Sequence, residues 1–234
     1  MTEPTRPQRA ISSRLLLVAG LFVATLVTSN IIAVKLAALG PFTVPAAIVI
    51  FPLSYLFGDV LTEVWGYATA RVVIWTGFAA NVVAVCFVAI AVAVPSSPAY
   101  PDGGAYSAIL GMTPRIVIAS LVAYLCGEFI NSFVLAKLKI ATGGRMLWMR
   151  TIGSTLLGQG VDTVIFISVA FGGTLPFAVL RVVMRDQWLL KVFYEIVATP
   201  LTYAVVTWLK RREGIDTYDR STNFNPLALG GLAR

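Results

Sequence analysis

The chain contains no histidine. That removes the commonest protein metal ligand and any imidazole proton relay in one stroke. Its two cysteines, Cys86 and Cys126, both lie inside apolar runs. They read as small buried hydrophobes rather than as a disulfide or a metal site. No Walker-type phosphate loop occurs, so the chain does not itself hydrolyse ATP. Neither a metal nor a cofactor is implied. Charge is scarce as well: 12% of the 234 residues are Asp, Glu, Lys or Arg, and 58% are hydrophobic. An average soluble domain is about 25% charged. A water-soluble core of this length cannot hide so much apolar surface, so the expectation is an integral membrane protein.

What is present fits that class. A helix needs about 20 mainly apolar residues to cross the roughly 30 Å hydrocarbon layer. Six such windows occur, at about 15–38, 44–65, 72–94, 114–137, 150–172 and 188–209. All should be helical, because unpaired backbone groups are too costly in lipid. The expected fold class is therefore all-α, a polytopic bundle of six transmembrane helices. The expected organisation is a cytoplasmic N-terminal leader over 1–13, a six-span domain over 14–212 and a cytoplasmic C-terminal tail over 213–234. The first apolar segment is too long for a signal peptide and lacks a small-residue cleavage site, so it reads as retained. Residues 176–186 fit either an interfacial helix or an extension of the last span.

The net charge of +7 is a topology signal. With the N-terminus inside, one face collects Arg6, Arg9 and Arg14, then Arg71, then Lys137, Lys139, Arg145 and Arg150, then Lys210, Arg211, Arg212, Arg220 and Arg234. The other face holds Arg115, Arg181, Arg185 and Lys191, and the loop at 95–113 has no basic residue. Basic residues concentrate in cytoplasmic loops, so both termini are expected on the cytoplasmic side of the membrane, and a nucleic-acid role is not expected.

Polar residues within the spans carry the functional signal. Each ionisable group there costs at least ~2.5–3.5 kcal/mol on insertion scales, and persists where it faces the bundle interior, a partner or a water-filled cavity. Asp59/Glu63 and Lys191/Glu195 are spaced i, i+4, and Glu128/Asn131 and Gln159/Asp162 are spaced i, i+3, so each pair shares one helix face. Four helices thus present polar faces, expected to converge on one central cavity. Asp59, Glu128 and Asp162 lie deepest and are the leading ligand contacts, with Asn131, Gln159, Asn30 and Tyr55 as further candidates. Asn30 and Asn81 also suit interhelical hydrogen bonding. Lys191/Glu195 reads as an ion pair near the outer end of the last span, and Glu63 as a gate or headgroup-reaching residue. Pro52 should kink or unwind the second helix, and Pro200 the last. Trp65, Tyr67, Trp148 and Trp208 read as interfacial anchors.

A faint internal echo relates Gly58-Asp59 through Glu63 to Gly158-Gln159 through Thr163, and Asn30 through Leu36 to Asn131 through Leu138. Two three-helix repeats with an odd number of spans each would be inverted, a common transporter architecture with its site near the midplane.

Three stretches carry a specific resemblance: FPLSYLFGDVLTEVWGY (51–67), GEFINSFVLAKLK (127–139) and TIGSTLLGQGVDTVIF (151–166). With them the chain resembles the queuosine precursor transporter family, also called the vitamin uptake transporter family, over about residues 25–219. The resemblance implies a six-span inner-membrane carrier that salvages the 7-deazaguanines preQ0 and preQ1. It carries onto Asp59, Glu63, Glu128, Asn131, Gln159 and Asp162, all intact in their motifs. The expected partners are a small-molecule substrate, membrane lipid and a second copy in a homo-oligomer, most simply a dimer. Two other readings stand beside a carrier. One is the substrate-binding subunit of a vitamin importer driven by separate ATPase subunits. The other is an intramembrane enzyme, for which no histidine, paired nucleophile or metal motif is present.

Overall fold

A computed structural model describes residues 12–228 apart from 34, 40, 41, 112 and 113. Among these, seven α-helices build the molecule: α1 (Ser13–Ile32), α2 (Phe51–Trp65), α3 (Tyr67–Ala93), α4 (Gly103–Leu110), α5 (Pro114–Ala141), α6 (Leu147–Phe171) and α7 (Phe177–Glu213). Between α1 and α2 lie a small antiparallel hairpin, β1 (Leu36–Leu39) with β2 (Phe42–Pro45), and a 3-10 turn at Ala46–Val49.

Five helices, α1, α3, α5, α6 and α7, are long and apolar enough to cross a membrane. The molecule is a multi-pass helical membrane protein. The second expected span differs from expectation. Its helix begins at Phe51, has 15 residues, and at 1.5 Å per residue reaches only about 22 Å. Pro52 lies in the first turn of α2, where its missing N–H is an orphan in any helix. Proline therefore starts this helix instead of kinking it, and the chain ahead of it pairs as the hairpin. Likewise the first helix stops at Ile32, short of residue 38. The stretch 177–186 is the N-terminal part of α7, which runs unbroken through Pro200 to Glu213, so it extends the last helix. Helix α4, inside the 95–113 loop that has no basic residue, was not expected.

The helices alternate in direction. At the end called here the base, Arg14 at the start of α1 pairs with Glu213 at the end of α7 (2.8 Å), and Ser12 Oγ donates to the same carboxylate at 2.8 Å. In lipid there is no hydrophobic drive between helices, so small residues that let backbones approach do much of the packing. The closest pair is α5 with α6. A Cβ on Gly127 would stand 2.8 Å from the Asp162 Cβ and 3.1 Å from the Gly158 oxygen. A Cβ on Gly158 would stand 2.7 Å from the Asn131 Cβ and 2.9 Å from the Gly127 oxygen. The apolar core, from Phe22, Leu26, Leu56, Val60, Val64 and Ile74 to Val206 and Leu209, ties α1, α2, α3 and α7 together.

After Gly214, which caps α7 in the left-handed conformation (φ 62°), the chain turns back across the base. Thr217 N–H donates to the Val64 carbonyl (3.4 Å) and Asp219 Oδ2 accepts from Tyr67 N–H (3.0 Å). Arg71 donates to the carbonyls of Asn223 and Asn225 at 2.7 and 2.8 Å, and Trp75 Nε1 to that of Pro226 at 2.9 Å. Gly66, between α2 and α3 at φ 84°, is what admits this strap, since a Cβ there would sit 2.6 Å from Thr217 Cγ2. Trp65 and Tyr67, expected at the membrane interface, are instead buried beneath it, whereas Trp148 and Trp208 are exposed. Cys86, expected buried, lies exposed on the outer face of α3, and both cysteines are free.

Candidate functional site

Between α1, α2, α5, α6 and α7 lies a cavity of about 140 Å³. Its polar wall comprises Ser29, Asn30, Ser54, Tyr55, Ser120, Tyr124, Glu128, Asp162, Gln187 and Lys191, and Phe166 closes one side. Three motif glycines place the polar groups. Gly127 and Gly158 bring α5 and α6 into backbone contact, which sets Glu128 and Asn131 beside Gln159 and Asp162. Gly58 on α2 leaves room for Glu128, whose Oε2 would lie 3.1 Å from a Cβ at that position.

The polar residues expected to share one cavity divide among four places. In the main cavity, Asp162 Oδ2 pairs with Lys191 Nζ at 2.5 Å. The short-range ion pair of Lys191 is thus across to α6, where the sequence pointed to Glu195 on its own helix. Glu128 is 1% exposed and its Oε2 has no hydrogen-bond partner among the described residues. Asn30 donates to Asn81 Oδ1 at 2.5 Å and accepts from Ser120 at 3.2 Å, so it both lines the cavity and joins α1 to α3 and α5. Tyr55 and Tyr124 provide aromatic wall, and the Tyr124 hydroxyl donates to the Ile74 carbonyl at 3.0 Å.

Behind this wall, Asn131 donates to Asp59 Oδ1 at 2.7 Å. Both residues are fully buried, neither lines the cavity, and Asp59 Oδ2 and Asn131 Oδ1 lack partners. Beside the cavity, a smaller space of about 10 Å³ is lined by Ile48, Tyr55, Thr155, Gln159, Lys191, Tyr194 and Glu195.

Glu63 stands apart, at the base. Its carboxylate is fully buried and is gripped by Arg150 through two nitrogens (2.8 and 3.2 Å), by Lys210 at 2.6 Å and by Lys139 at 3.5 Å. Lys139 also donates to the Glu63 and Thr217 carbonyls at 2.6 and 2.7 Å. Asp216 of the strap accepts from Lys139 at 2.7 Å and Lys210 at 2.9 Å. Partial burial pushes the Asp216 carboxyl up, but the hydrogen bonds from Lys139 and Lys210 outweigh it and hold it below the usual range. Sequence reasoning assigned Arg150, Lys139 and Lys210 only to the topology count. For Lys139 and Arg150, placement within or beside the LAKLK and TIGST stretches was the available signal that they face inward; Lys210 lies in neither.

Among the described residues, unpartnered buried oxygens occur on Glu128 at the cavity wall, on Asp59 and Asn131 behind it, and on Gln159 and Glu195 at the side space. A ligand rich in N–H donors and flat enough to lie between tyrosines is what such a lining recognises.

The family described as "Putative vitamin uptake transporter" matches residues 45–205. A Bacillus subtilis (strain 168) protein named "Probable queuosine precursor transporter" is 32% identical over 181 residues, which cover 76% of this chain and 78% of that protein. No solved structure matches the chain. A multi-pass bundle with a polar interior cavity, matched over most of its length by these relatives, belongs to the vitamin uptake transporter family.

Proposed function

We propose that the protein imports 7-deazaguanine precursors of queuosine, preQ0 and preQ1, across the bacterial inner membrane by alternating access around the Glu128/Asp162 cavity. The observation that carries this reading is the interior cavity itself, walled by Tyr55 and Tyr124 and by the carboxylates of Glu128 and Asp162, with Glu128 Oε2 unpartnered among the described residues. A guanine-type edge offers adjacent N–H donors that one carboxylate accepts in bidentate fashion. The aminomethyl group of preQ1 adds a cation that a second carboxylate stabilises. Asp162 and Glu128 are the contacts on the cavity surface, with Asn30 and Tyr55 beside them. Asp59, Asn131 and Gln159 back this wall and join the site as the helices move.

Six passes complete the picture, with α2 and its hairpin together acting as the second crossing. The pairing of Arg14 with Glu213 at one end supports an even number of crossings. The basic loops put that end in the cytoplasm. The two halves act as inverted repeats, and the chain works as a homodimer.

The test uses a strain unable to make preQ0. Asp162→Asn and Glu128→Gln each abolish queuosine rescue while the protein still reaches the membrane. Near-normal rescue by both variants sinks the cavity assignment. Uptake by proteoliposomes holding this chain alone, without ATP, separates a carrier from a subunit of an ATPase-driven importer.

A further inference from the structure

The bundle interior does not balance its charge. Glu63 is met by Arg150, Lys139 and Lys210 at the base. Above it, Asp59, Glu128, Asp162 and Glu195 face a single cation among the described residues of that region, Lys191, which is held by Asp162 at 2.5 Å. Buried carboxylates without a cation or donors are too costly to keep ionised, and the ordinary resolution is to bind a proton.

Glu195 is where the local geometry asks for one. It is 3% exposed, and its Oε1 lacks a hydrogen-bond partner among the described residues. Gln159 Oε1 and Thr155 Oγ1, each 1% exposed, also lack partners and line the same 10 Å³ space. Carboxylate and amide oxygens cannot donate, so an ionised Glu195 and Gln159 Oε1 set two acceptors, unpartnered among the described residues, against one small space. A proton on Glu195 converts it into a donor. Lys191, Tyr55 and Tyr194 face the same space, and Asp59 lies within electrostatic range on α2. The space shares Ile48, Tyr55 and Lys191 with the main cavity wall, so rearrangement of the solute site reaches Glu195 directly.

We propose that Glu195 is a proton-binding site, protonated in this closed bundle and deprotonated when the site opens to water, through which the proton gradient drives solute import. The proton enters from one side, resides on a Glu195 oxygen facing Gln159 and Thr155, and leaves to the other side. The coupling half of this proposal rests on the transport reading; the proton site itself does not.

Difference infrared spectra of the purified full-length protein, titrated over pH without any solute, test the site. We expect a protonated-carboxyl band that Glu195→Gln removes and that Glu128→Gln and Asp59→Asn leave in place. A band that persists in Glu195→Gln, or that follows Asp59→Asn instead, overturns the assignment. Gln mimics the protonated side chain, so the variant should fold; an unchanged elution profile in detergent checks this. In proteoliposomes, labelled preQ1 should accumulate at least tenfold under an inward proton gradient in the wild type. Glu195→Gln should lose accumulation yet retain preQ1 exchange. Accumulation that follows a sodium gradient and ignores the proton gradient contradicts coupling. Absence of any preQ1 uptake beside an intact Glu195 band supports the proton site and overturns the solute assignment alone.

Discussion

Glu63 illustrates how little a residue's type says about its task in a bundle. It lies with no exposed surface among Arg150, Lys139 and Lys210, while Asp59, one turn earlier on the same helix, accepts from Asn131 and meets no cation among the described residues. The first is an ion cluster that holds the base; the second is a buried acceptor near the site. Removing one partner of a buried ion pair strands the others and typically costs about 3–5 kcal/mol. Glu63→Gln should therefore lower thermal stability in detergent markedly, and a variant as stable as the wild type would refute the clamp. Glu128→Gln, which breaks no ion pair, should instead leave the melting temperature near that of the wild type and weaken preQ1 binding at least tenfold, measured by titration calorimetry, whereas Asp162→Asn strands Lys191 and should lower both.

At the scale of elements, the α5–α6 contact is the scaffold of the site. Gly127 and Gly158 stand where a Cβ has no room, so Ala at either forces the helices apart or the Asp162 and Asn131 backbones aside. Overpacking of this kind costs roughly 1–3 kcal/mol, and it should also impair solute binding, because Glu128 and Gln159 move with the helices. A methyl group added at Gly20 on α1 would meet nothing within 4 Å, so Gly20→Ala should be neutral or stabilising by up to about 1 kcal/mol. Thermal melts of the three variants side by side check the contrast. The same elements show where the sequence could be read and where not. Long apolar windows located α1, α3, α5, α6 and α7, because length and hydropathy are local properties. The hairpin and the short α2 escaped because an apolar run with prolines inside it, Pro45 and Pro52, looks like a kinked span until pairing is known.

For the whole molecule, the C-terminal strap joins the ends of α2, α3 and α5 to the end of α7, and its Asp216 belongs to the Glu63 cluster. Because the folded-state carboxyl of Asp216 lies below its ordinary value, its contribution to docking is complete above the ordinary Asp range of about 4. It is lost as pH falls through the lower folded value. A spin label at Thr222 should report a docked strap at pH 5 and loosening only below about pH 4. Asp216→Asn should flatten that response, and a strap equally mobile at every pH would refute its docking. None of this was visible in the sequence, where residues after 213 read as a tail; the strap's contacts are mostly to backbone carbonyls, which carry no residue signature. The site residues themselves were legible as i, i+3 and i, i+4 pairs, but periodicity fixes a helix face and not depth along the bundle. Hence the single expected cavity resolved into a cavity, a backing pair, a small side space and a base cluster.

Transport by this bundle turns on what enters the cavity between Glu128 and Asp162. Equilibrium binding of labelled preQ0, preQ1, queuine and guanine to the purified wild type, Glu128→Gln and Asp162→Asn proteins tests this most directly. Saturable binding of preQ0 or preQ1 that either substitution weakens at least tenfold is the predicted result. Binding of neither base, or binding unchanged in both variants, would contradict it.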